Sequence, residues 1–280
     1  MVPAIALLLL ALNEGSRAGF GSPQMIGPVL AAVALLIGFV WREQRTKSPL
    51  VDLSLFRNLG FVTGNVAALL SYAVLFGAFF VSPFVLERGY GDSALTAGLR
   101  LSVIPAALGL VAPVSGALYD RLGPRLLTIS GMLAVLGSLL VLSFAIDGDA
   151  GLLPLAMAAL ALFGIGQGLF VAPNDSAIMG IATAADTGQA GGLLNVMRAL
   201  GMSFGISLAS VILARHLPVV PGRPPTTVGI PAQGLFRGAI ATFVTFGALA
   251  GIAALLSLLR TDRAEPQPGG GAASIKLVAR

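Results

Sequence analysis

Residues 58–86 read NLGFVTGNVAALLSYAVLFGAFFVSPFVL, and none of these 29 side chains carries a charge. A helix over this stretch is about 43 Å long at 1.5 Å per residue, which exceeds the roughly 30 Å hydrocarbon core of a bilayer. Five further charge-free runs of 19 to 25 residues follow the same pattern: 18–41, 101–119, 126–146, 150–174 and 238–259. A seventh run, 187–214, contains one charge, Arg198. These lengths predict a protein that crosses a membrane several times.

Composition excludes several other classes of protein. Apolar residues make up 56% of the 280 residues and charged residues only 10%. No soluble domain of this size could bury seven such runs at once, so a water-soluble fold is excluded. The sequence has no cysteine, which excludes disulfides and cysteine nucleophiles. The basic residues lie between the apolar runs rather than in one patch, so we expect the lipid bilayer and no nucleic acid as a partner.

The runs predict an all-α, polytopic transmembrane helix bundle. We predict helices at 1–12 (incomplete), 25–41, 59–86, 98–118, 126–146, 151–172, 189–213 and 236–259. Residues 42–58 are predicted to be a loop between the first helices and a bundle over 59–259. The tail, 260–280, is rich in Gly, Pro and Ala and is expected to be disordered.

The distribution of basic residues predicts the orientation. The loop 42–58, the turn 119–125, the loop 173–188 and the tail fall on one side and carry ten Lys and Arg residues. The opposite side carries six Arg residues. The positive-inside rule therefore places the first side, which includes the C-terminus, in the cytoplasm. We expect the membrane to be the cell (inner) membrane.

Small residues recur on one face of two predicted helices. In helix 98–118 they are Gly98, Ser102, Pro105, Gly109, Ala112, Pro113 and Gly116, and the bulky face holds Val103, Ile104, Ala107, Leu110, Val111, Val114 and Leu118. In helix 189–213 the small or polar stripe is Gly191, Asn195, Arg198, Met202, Gly205 and Ala209. Because small residues permit close helix contact in lipid, we expect both stripes to face the bundle interior.

Arg198 is the residue that packing does not explain. It lies nine residues into its predicted helix, about 14 Å deep, where a charge costs at least about 2.5–3.5 kcal/mol. Such residues line polar cavities or pair with a partner, so we predict a substrate-cavity role for Arg198, joined by four uncharged residues: Asn195, Met202, Gln167 and Asn65. The alternative is a hydrogen bond to a backbone carbonyl or to Asn195, one turn away.

Two short motifs resemble those of enzymes. Residues 201–205, GMSFG, match the G-x-S-x-G nucleophile pattern, but they lie inside a predicted helix rather than at a strand-to-helix elbow. The lone histidine, His216, follows just beyond the same span. Gly164-x-Gly166-x-Gly168 lacks the spacing of a dinucleotide site, and the sequence has neither a phosphate-binding loop nor a metal-ligand cluster. We therefore predict packing roles for both motifs, with no catalytic residue, cofactor or metal.

Residues 116–125, GALYDRLGPR, form a G-x-L-x-D-R-x-G-x-R pattern between two predicted spans. Gly123 allows a reversal of the chain, Pro124 suits the first position of the next helix, and Arg121 lies near the negative end of the preceding one. This pattern resembles the cytoplasmic signature loop of the major facilitator superfamily. The remaining alternative is a positively charged turn that only fixes orientation.

Other segments resemble fourteen-span drug:proton antiporters of the EmrB/QacA type within that superfamily. They are 41–57, 91–105, 164–173 and the Asn195-x-x-Arg198-x-x-Gly201 pattern. The resemblance implies that residues 59–259 are the C-terminal six-helix half of such a transporter. Residues 1–41 are then the remnant of the two extra helices between the halves.

The resemblance also implies roles for the signature loop of Gly116, Asp120, Arg121, Gly123 and Arg125. In these transporters its Asp and Arg side chains hold the two halves together in one state of the alternating-access cycle. The implied function is efflux of small amphiphilic substrates, with protons as the counter-ion and the missing N-terminal half, or a second copy, as partner. The acidic residues tied to proton coupling belong to that other half, and Glu87, Asp120 and Asp175 fall near predicted helix ends here.

Two other functions remain open at the level of sequence. The first is a truncated, non-transporting membrane fragment or interaction subunit. The second is an intramembrane enzyme, which would need Ser203 to act as a nucleophile. Transport by two bundles rocking around one site requires both halves, so we expect this chain alone not to transport.

Overall fold

The computed structural model describes residues 3–8, 10–11, 22–43, 45–46, 53–146, 148–183, 186–217 and 232–259. Its long helices are α1 (Pro23–Glu43), α2 (Leu59–Phe84), α3 (Ala94–Leu101), α4 (Val103–Ala145), α5 (Leu153–Ile181), α6 (Thr187–Arg215) and α7 (Ala232–Leu258). The described residues contain no strand, which confirms the all-α class. The predicted tail, 260–280, lies outside the described residues.

Shorter elements extend or connect these helices. Leu53–Arg57 and Ala150–Leu152 form 3-10 helices, and Val85–Gly89 continues α2 as one turn of π-helix. Residues 3–8, 10 and 11, within the first predicted helix, are helical too. The structure confirms five predicted helices to within four residues at each end: 25–41, 59–86, 126–146, 189–213 and 236–259.

Six helical stretches of the described chain are long and apolar enough to cross a membrane. One of them, Ala94–Ala145, has 52 residues, which is about 78 Å of helix and more than twice the length that one crossing needs. It is interrupted at Gly123, whose φ of 74° and ψ of 162° suit glycine alone. We call the residues before this break α4a (103–122) and those after it α4b (124–145).

Close contacts of α5 with α4a define their relative direction. A Cβ atom at Gly164 would lie 2.5 Å from the Ile104 carbonyl oxygen, and one at Gly168 would lie 3.0 Å from the Leu108 carbonyl oxygen. The two pairs follow each other in the same order along both helices. Helix α5 therefore runs parallel to α4a.

The contacts of α5 with α4b have the opposite order. Gly131 lies against Gly166 and Phe170, whereas Val135, further along α4b, lies against Gly166. Helix α5 is thus antiparallel to α4b, and the chain reverses between α4a and α4b. This confirms the reversal that the sequence predicted at residue 123, and it makes Ala94–Ala145 two spans.

Packing is strongest between α5 and both arms of α4, and between α6 and α2. Helix α7 packs on both α2 and α4. The core between these helices is built from large side chains that are almost completely buried, among them Phe61, Phe163, Phe170, Phe243 and Phe246. The arrangement places α2 next to both α5 and α6.

The predicted end of the helix 151–172 at residue 172 is wrong. Helix α5 continues through Pro173 to Ile181, so residues 173–181 of the predicted loop are helical. Pro173 removes one backbone hydrogen bond, a loss that membrane helices tolerate where neighbouring groups compensate. Beyond it, the Asn174 side-chain amide donates to the Gly64 carbonyl of α2 at 3.2 Å, and Ile178 is fully buried against α2.

The predicted helix 98–118 is divided between α3 and α4a, and the expected inward orientation of its small stripe is also wrong for this bundle. Side chains added at Gly98, Gly109 and Gly116 would meet no atom within 4 Å, because these residues face outward. The face bearing Ile104 packs on α5 instead. Since α5 supplies its own glycines at that contact, close approach does not require small residues on α4a.

Candidate functional site

An ion pair joins α5 to α6 within the membrane-spanning part of the bundle. The Arg198 Nη2 group on α6 donates to Asp175 Oδ2 on α5, and Arg198 Nη1 donates to Asn195 Oδ1 at 3.3 Å. The guanidinium also lies over the Tyr72 ring of α2, 5.5 Å from its centroid. Three helices therefore meet at Arg198. We call Tyr72, Asp175, Asn195 and Arg198 the polar seam.

Helix geometry places this pair well inside the apolar spans. Arg198 is eleven residues after the start of α6, about 16 Å along its axis, and Asp175 is six residues, about 9 Å, before the end of α5. The side chains are 28% and 19% exposed, so the pair is mostly covered but still reaches the surface. Charges at such a depth are stable only when they are paired.

The pair does not satisfy all of its polar atoms. Asp175 Oδ1 and Arg198 Nε are buried and have no hydrogen-bond partner among the described residues. Buried polar atoms in native proteins are usually hydrogen-bonded, and an unsatisfied one costs about 1–3 kcal/mol. The unsatisfied carboxylate oxygen is therefore a position where another proton or donor would be favourable.

A second polar contact joins α2 and α5 away from the ion pair. The Ser71 hydroxyl donates to Gln167 Oε1 at 2.8 Å, and Gln167 Nε2 donates to the Ser71 carbonyl at 3.4 Å. Both side chains are completely buried. Both side-chain polar atoms of Gln167 are thus hydrogen-bonded to α2.

The structure separates the five predicted cavity residues. Arg198 and Asn195 contact each other, which is the hydrogen bond that the packing alternative predicted, and the Asp175 contact adds to it. Met202 is half-buried one turn further along α6. Gln167 lies on α5 eight residues, about 12 Å, from Asp175.

Asn65 lies on α2 and faces its own helix. Its side-chain amide donates to the Phe61 carbonyl at 2.9 Å, and its Oδ1 is buried without a partner among the described residues. It is seven residues, about 10 Å, from Tyr72 along α2. Asn65 therefore lies about two turns from Tyr72 on α2, and among the described residues it forms no hydrogen bond with the polar seam.

Sequence reasoning missed Asp175, Tyr72 and Asn174. Asp175 falls in the predicted loop 173–188, but in the structure it lies within α5. A 3.6-residue period continued past Pro173 would have placed Asn174, seven residues after Gln167, on the same helix face. The sequence contains no comparable signal for Tyr72, because a single tyrosine in an apolar helix is common and does not by itself indicate a site.

The two enzyme-like motifs lie at helix contacts. Gly201 and Gly205 of α6 pack on the α2 backbone, where added Cβ atoms would lie 2.3 and 2.1 Å from carbonyl oxygens. Ser203 is 13 residues from His216 on the same helix run, about 20 Å along the axis, and His216 Nδ1 contacts the Ile212 carbonyl at 2.8 Å. The arrangement therefore forms no nucleophile–base contact between them.

The signature loop is exposed at the reversal. Asp120, Arg121 and Arg125 are all exposed, and none forms an ion pair with another described residue. Gly116 is exposed as well, and Gly123 has the positive φ that the turn requires. The geometry of the turn agrees with the sequence pattern, and its charged side chains point away from this bundle's contacts.

Known proteins with similar sequences are membrane transporters of about twice the length. The chain is 27% identical over 244 residues to the multidrug resistance protein B homolog of Mycobacterium tuberculosis, covering 85% of this chain and 45% of that protein. It is 30% identical over 215 residues to the tetracenomycin C resistance and export protein of Streptomyces glaucescens, covering 76% and 39%. It is 29% identical over 211 residues to the riboflavin transporter RibZ of Clostridioides difficile, covering 75% of this chain and 44% of that protein. The chain spans less than half the length of each.

The family model of the Major Facilitator Superfamily matches residues 2–206, nearly three quarters of the chain. That range includes α1 to α5, the Gly123 reversal and the polar seam. With its apolar spans, its reversal at Gly123 and this match, the chain belongs to the Major Facilitator Superfamily of membrane transporters.

Proposed function

We propose that this chain exports small amphiphilic compounds by alternating access coupled to proton antiport, as the C-terminal half of a fourteen-span transporter. The observation that carries the proposal is the polar seam. An arginine and an aspartate, with a tyrosine ring beside them, lie within helices that are long and apolar enough to cross a membrane. Ionisable residues in such spans mark substrate or ion pathways.

The substrate class is supported by the relatives. Most of those named above are drug resistance or export proteins, and their names cover chemically different compounds. A seam that offers a guanidinium, a carboxylate and an aromatic face suits amphiphiles, which carry both polar groups and apolar surface. Arg198, Asn195, Met202, Gln167 and Asn65 are the proposed cavity residues, and Tyr72 joins them.

A partner bundle is supported by the outer face of α4a. Its small residues face away from the bundle, although small residues in membrane helices usually serve close helix contact. We propose that the missing N-terminal half, or a second copy, covers this face, with substrate bound between the two bundles. Asp120, Arg121 and Arg125 would contact that partner as a cytoplasmic latch. The C-terminus is then cytoplasmic and the membrane is the cell (inner) membrane.

The test uses the gene in its own host. Deleting the codons for these residues should raise cellular accumulation of ethidium, and restoring the wild-type sequence should lower it. Arg198→Gln should fail to restore export, whereas Arg237→Gln, which changes an exposed arginine of α7, should restore it. Measuring riboflavin accumulation in the same strains tests whether the substrate is instead the compound named for the relative RibZ. Unchanged accumulation of every compound after deletion would favour a non-transporting fragment or interaction subunit.

The proposal that this chain is one half of a transporter is tested separately. In a foreign host that produces only the 280 residues, we expect the chain to reach the membrane without lowering ethidium accumulation. Because two bundles must surround the site, export under these conditions by a monomeric chain would contradict the proposal. Cross-linked dimers in the same membranes would instead identify a second copy as the partner.

A further inference from the structure

The polar seam crosses a junction of the bundle where two long helices make few contacts. Helix α6 packs along α2, and α5 is held between α4a and α4b, but α5 and α6 make few direct contacts with each other. The ion pair between Asp175 and Arg198 spans this junction. The ion pair therefore links α5 directly to α6, whereas the Ser71–Gln167 and Asn174–Gly64 hydrogen bonds link α5 to α2.

Only one member of this pair can change its charge. The guanidinium of arginine stays protonated at every physiological pH, whereas a carboxylate takes up a proton. Asp175 accepts the Arg198 hydrogen bond on Oδ2 and leaves Oδ1 buried without a partner among the described residues. A proton on Oδ1 would not have to displace an existing hydrogen bond.

The groups that face Asp175 come from two of the helices packed on α5. Arg198 approaches from α6, and Tyr72 lies on α2 beneath the same guanidinium. The third neighbour, α4, has its charged residues, Asp120, Arg121 and Arg125, exposed around the turn. The charge on Asp175 is thus balanced by Arg198.

We propose that Asp175 is a proton-binding residue of the transporter and that its protonation opens the bridge between α5 and α6. One proton from the aqueous side adds to Oδ1, and the pair changes from zero net charge to one positive charge. The charge-assisted hydrogen bond from Arg198 weakens, because its acceptor becomes neutral. Arg198 keeps its contacts to Asn195 and to the Tyr72 ring. This inference rests on the proposed antiport function.

The first test is infrared difference spectroscopy between neutral and acidic pH on the purified chain in lipid nanodiscs. We expect one carboxylic acid C=O band from a dehydrated site, absent in Asp175→Asn and shifted in Asp175→Glu. Asp120→Asn, which changes an exposed carboxylate of the turn, should retain the band. Asparagine can still accept the Arg198 hydrogen bond, and circular dichroism checks the fold. If Asp175→Asn does not fold, a band that is unmoved in Asp175→Glu overturns the inference.

The second test separates this inference from the proposed function. Inverted vesicles from host membranes are given an inward-acidic pH gradient, and ethidium uptake is followed by fluorescence. Wild type should accumulate the dye, and Asp175→Asn should lose the response to the gradient. If wild type shows no gradient-driven uptake, proton antiport is refuted and the infrared band alone decides whether Asp175 binds a proton. If both proteins respond equally, antiport stands and the role of Asp175 is refuted.

Discussion

The contact between α6 and α2 leaves no room for a side chain at Gly205. A Cβ atom there would lie 2.1 Å from the carbonyl oxygen and 2.7 Å from the Cα atom of Ala73. Real Cβ atoms essentially never approach a neighbour closer than 3.0 Å, so the two backbones must separate by about 0.9 Å. The obstructing atoms belong to backbone and cannot rotate away. Gly205→Ala must therefore displace one helix from the other.

The size of the effect follows from overpacking. Inserting a methyl group into a filled contact costs about 1–3 kcal/mol, and a loss of 2 kcal/mol changes the folding equilibrium about thirtyfold. Gly192→Ala is the matched control on the same helix, because a side chain at this exposed position meets no atom within 4 Å. Alanine is favoured over glycine in a helix by about 0.5–1 kcal/mol, so this variant should be as stable as wild type or more so.

Unfolding of the purified chain in mixed micelles measures both variants. Sodium dodecyl sulfate is titrated into a mild detergent while circular dichroism follows helix content and tyrosine fluorescence follows packing. Gly205→Ala should unfold at a lower SDS fraction than wild type, and Gly192→Ala should not. Equal midpoints for the two variants would refute the assignment of α2 as the partner of α6.

Three further predictions use the same assay. Gly123→Ala should cost about 1–3 kcal/mol because its φ is positive, whereas Gly116→Ala, at an open helical position, should not; equal costs would contradict the strained reversal. Arg198→Gln should lower the free energy of unfolding by about 3–5 kcal/mol, because it leaves the Asp175 carboxylate unpaired. Adding Asp175→Asn should recover part of this loss. Strictly additive effects of the two substitutions would argue against the ion pair. Gln167→Leu should cost about 1–3 kcal/mol because it leaves a buried serine hydroxyl without its acceptor; a neutral result would show that this contact is absent.

The spans and the reversal could be predicted from the sequence because each depends on a local property. Charge-free runs of about 20 residues are set by the thickness of the hydrocarbon core, independently of what packs against them. The reversal at Gly123 depends on one residue that accepts a positive φ, followed by Pro124. Arg198 could be identified in the same way, since a charge near the middle of a span is costly wherever its neighbours lie.

The partners of these residues could not be predicted, because they depend on contacts between distant segments. Helix α5 continues past Pro173, and Asn174 beyond it contacts Gly64 of α2, a segment distant in sequence. Asp175 consequently lies inside a helix and faces Arg198, 23 residues away in sequence. The orientation of α4a was wrong for a related reason. Either helix of a contact can supply the glycines, and here α5 supplies them.

The outward face of α4a determines which measurements can detect the effect of a substitution there. A larger residue at Gly109 would meet nothing within 4 Å in the described chain, so folding of this bundle sets no upper limit on its size. Thermal unfolding of the isolated polypeptide therefore does not report on substitutions at the outward face of α4a. Whatever restricts residue size at Gly109 and Gly116 in living cells must come from a neighbour, and growth under selection, rather than thermal stability, is the measurement that detects it.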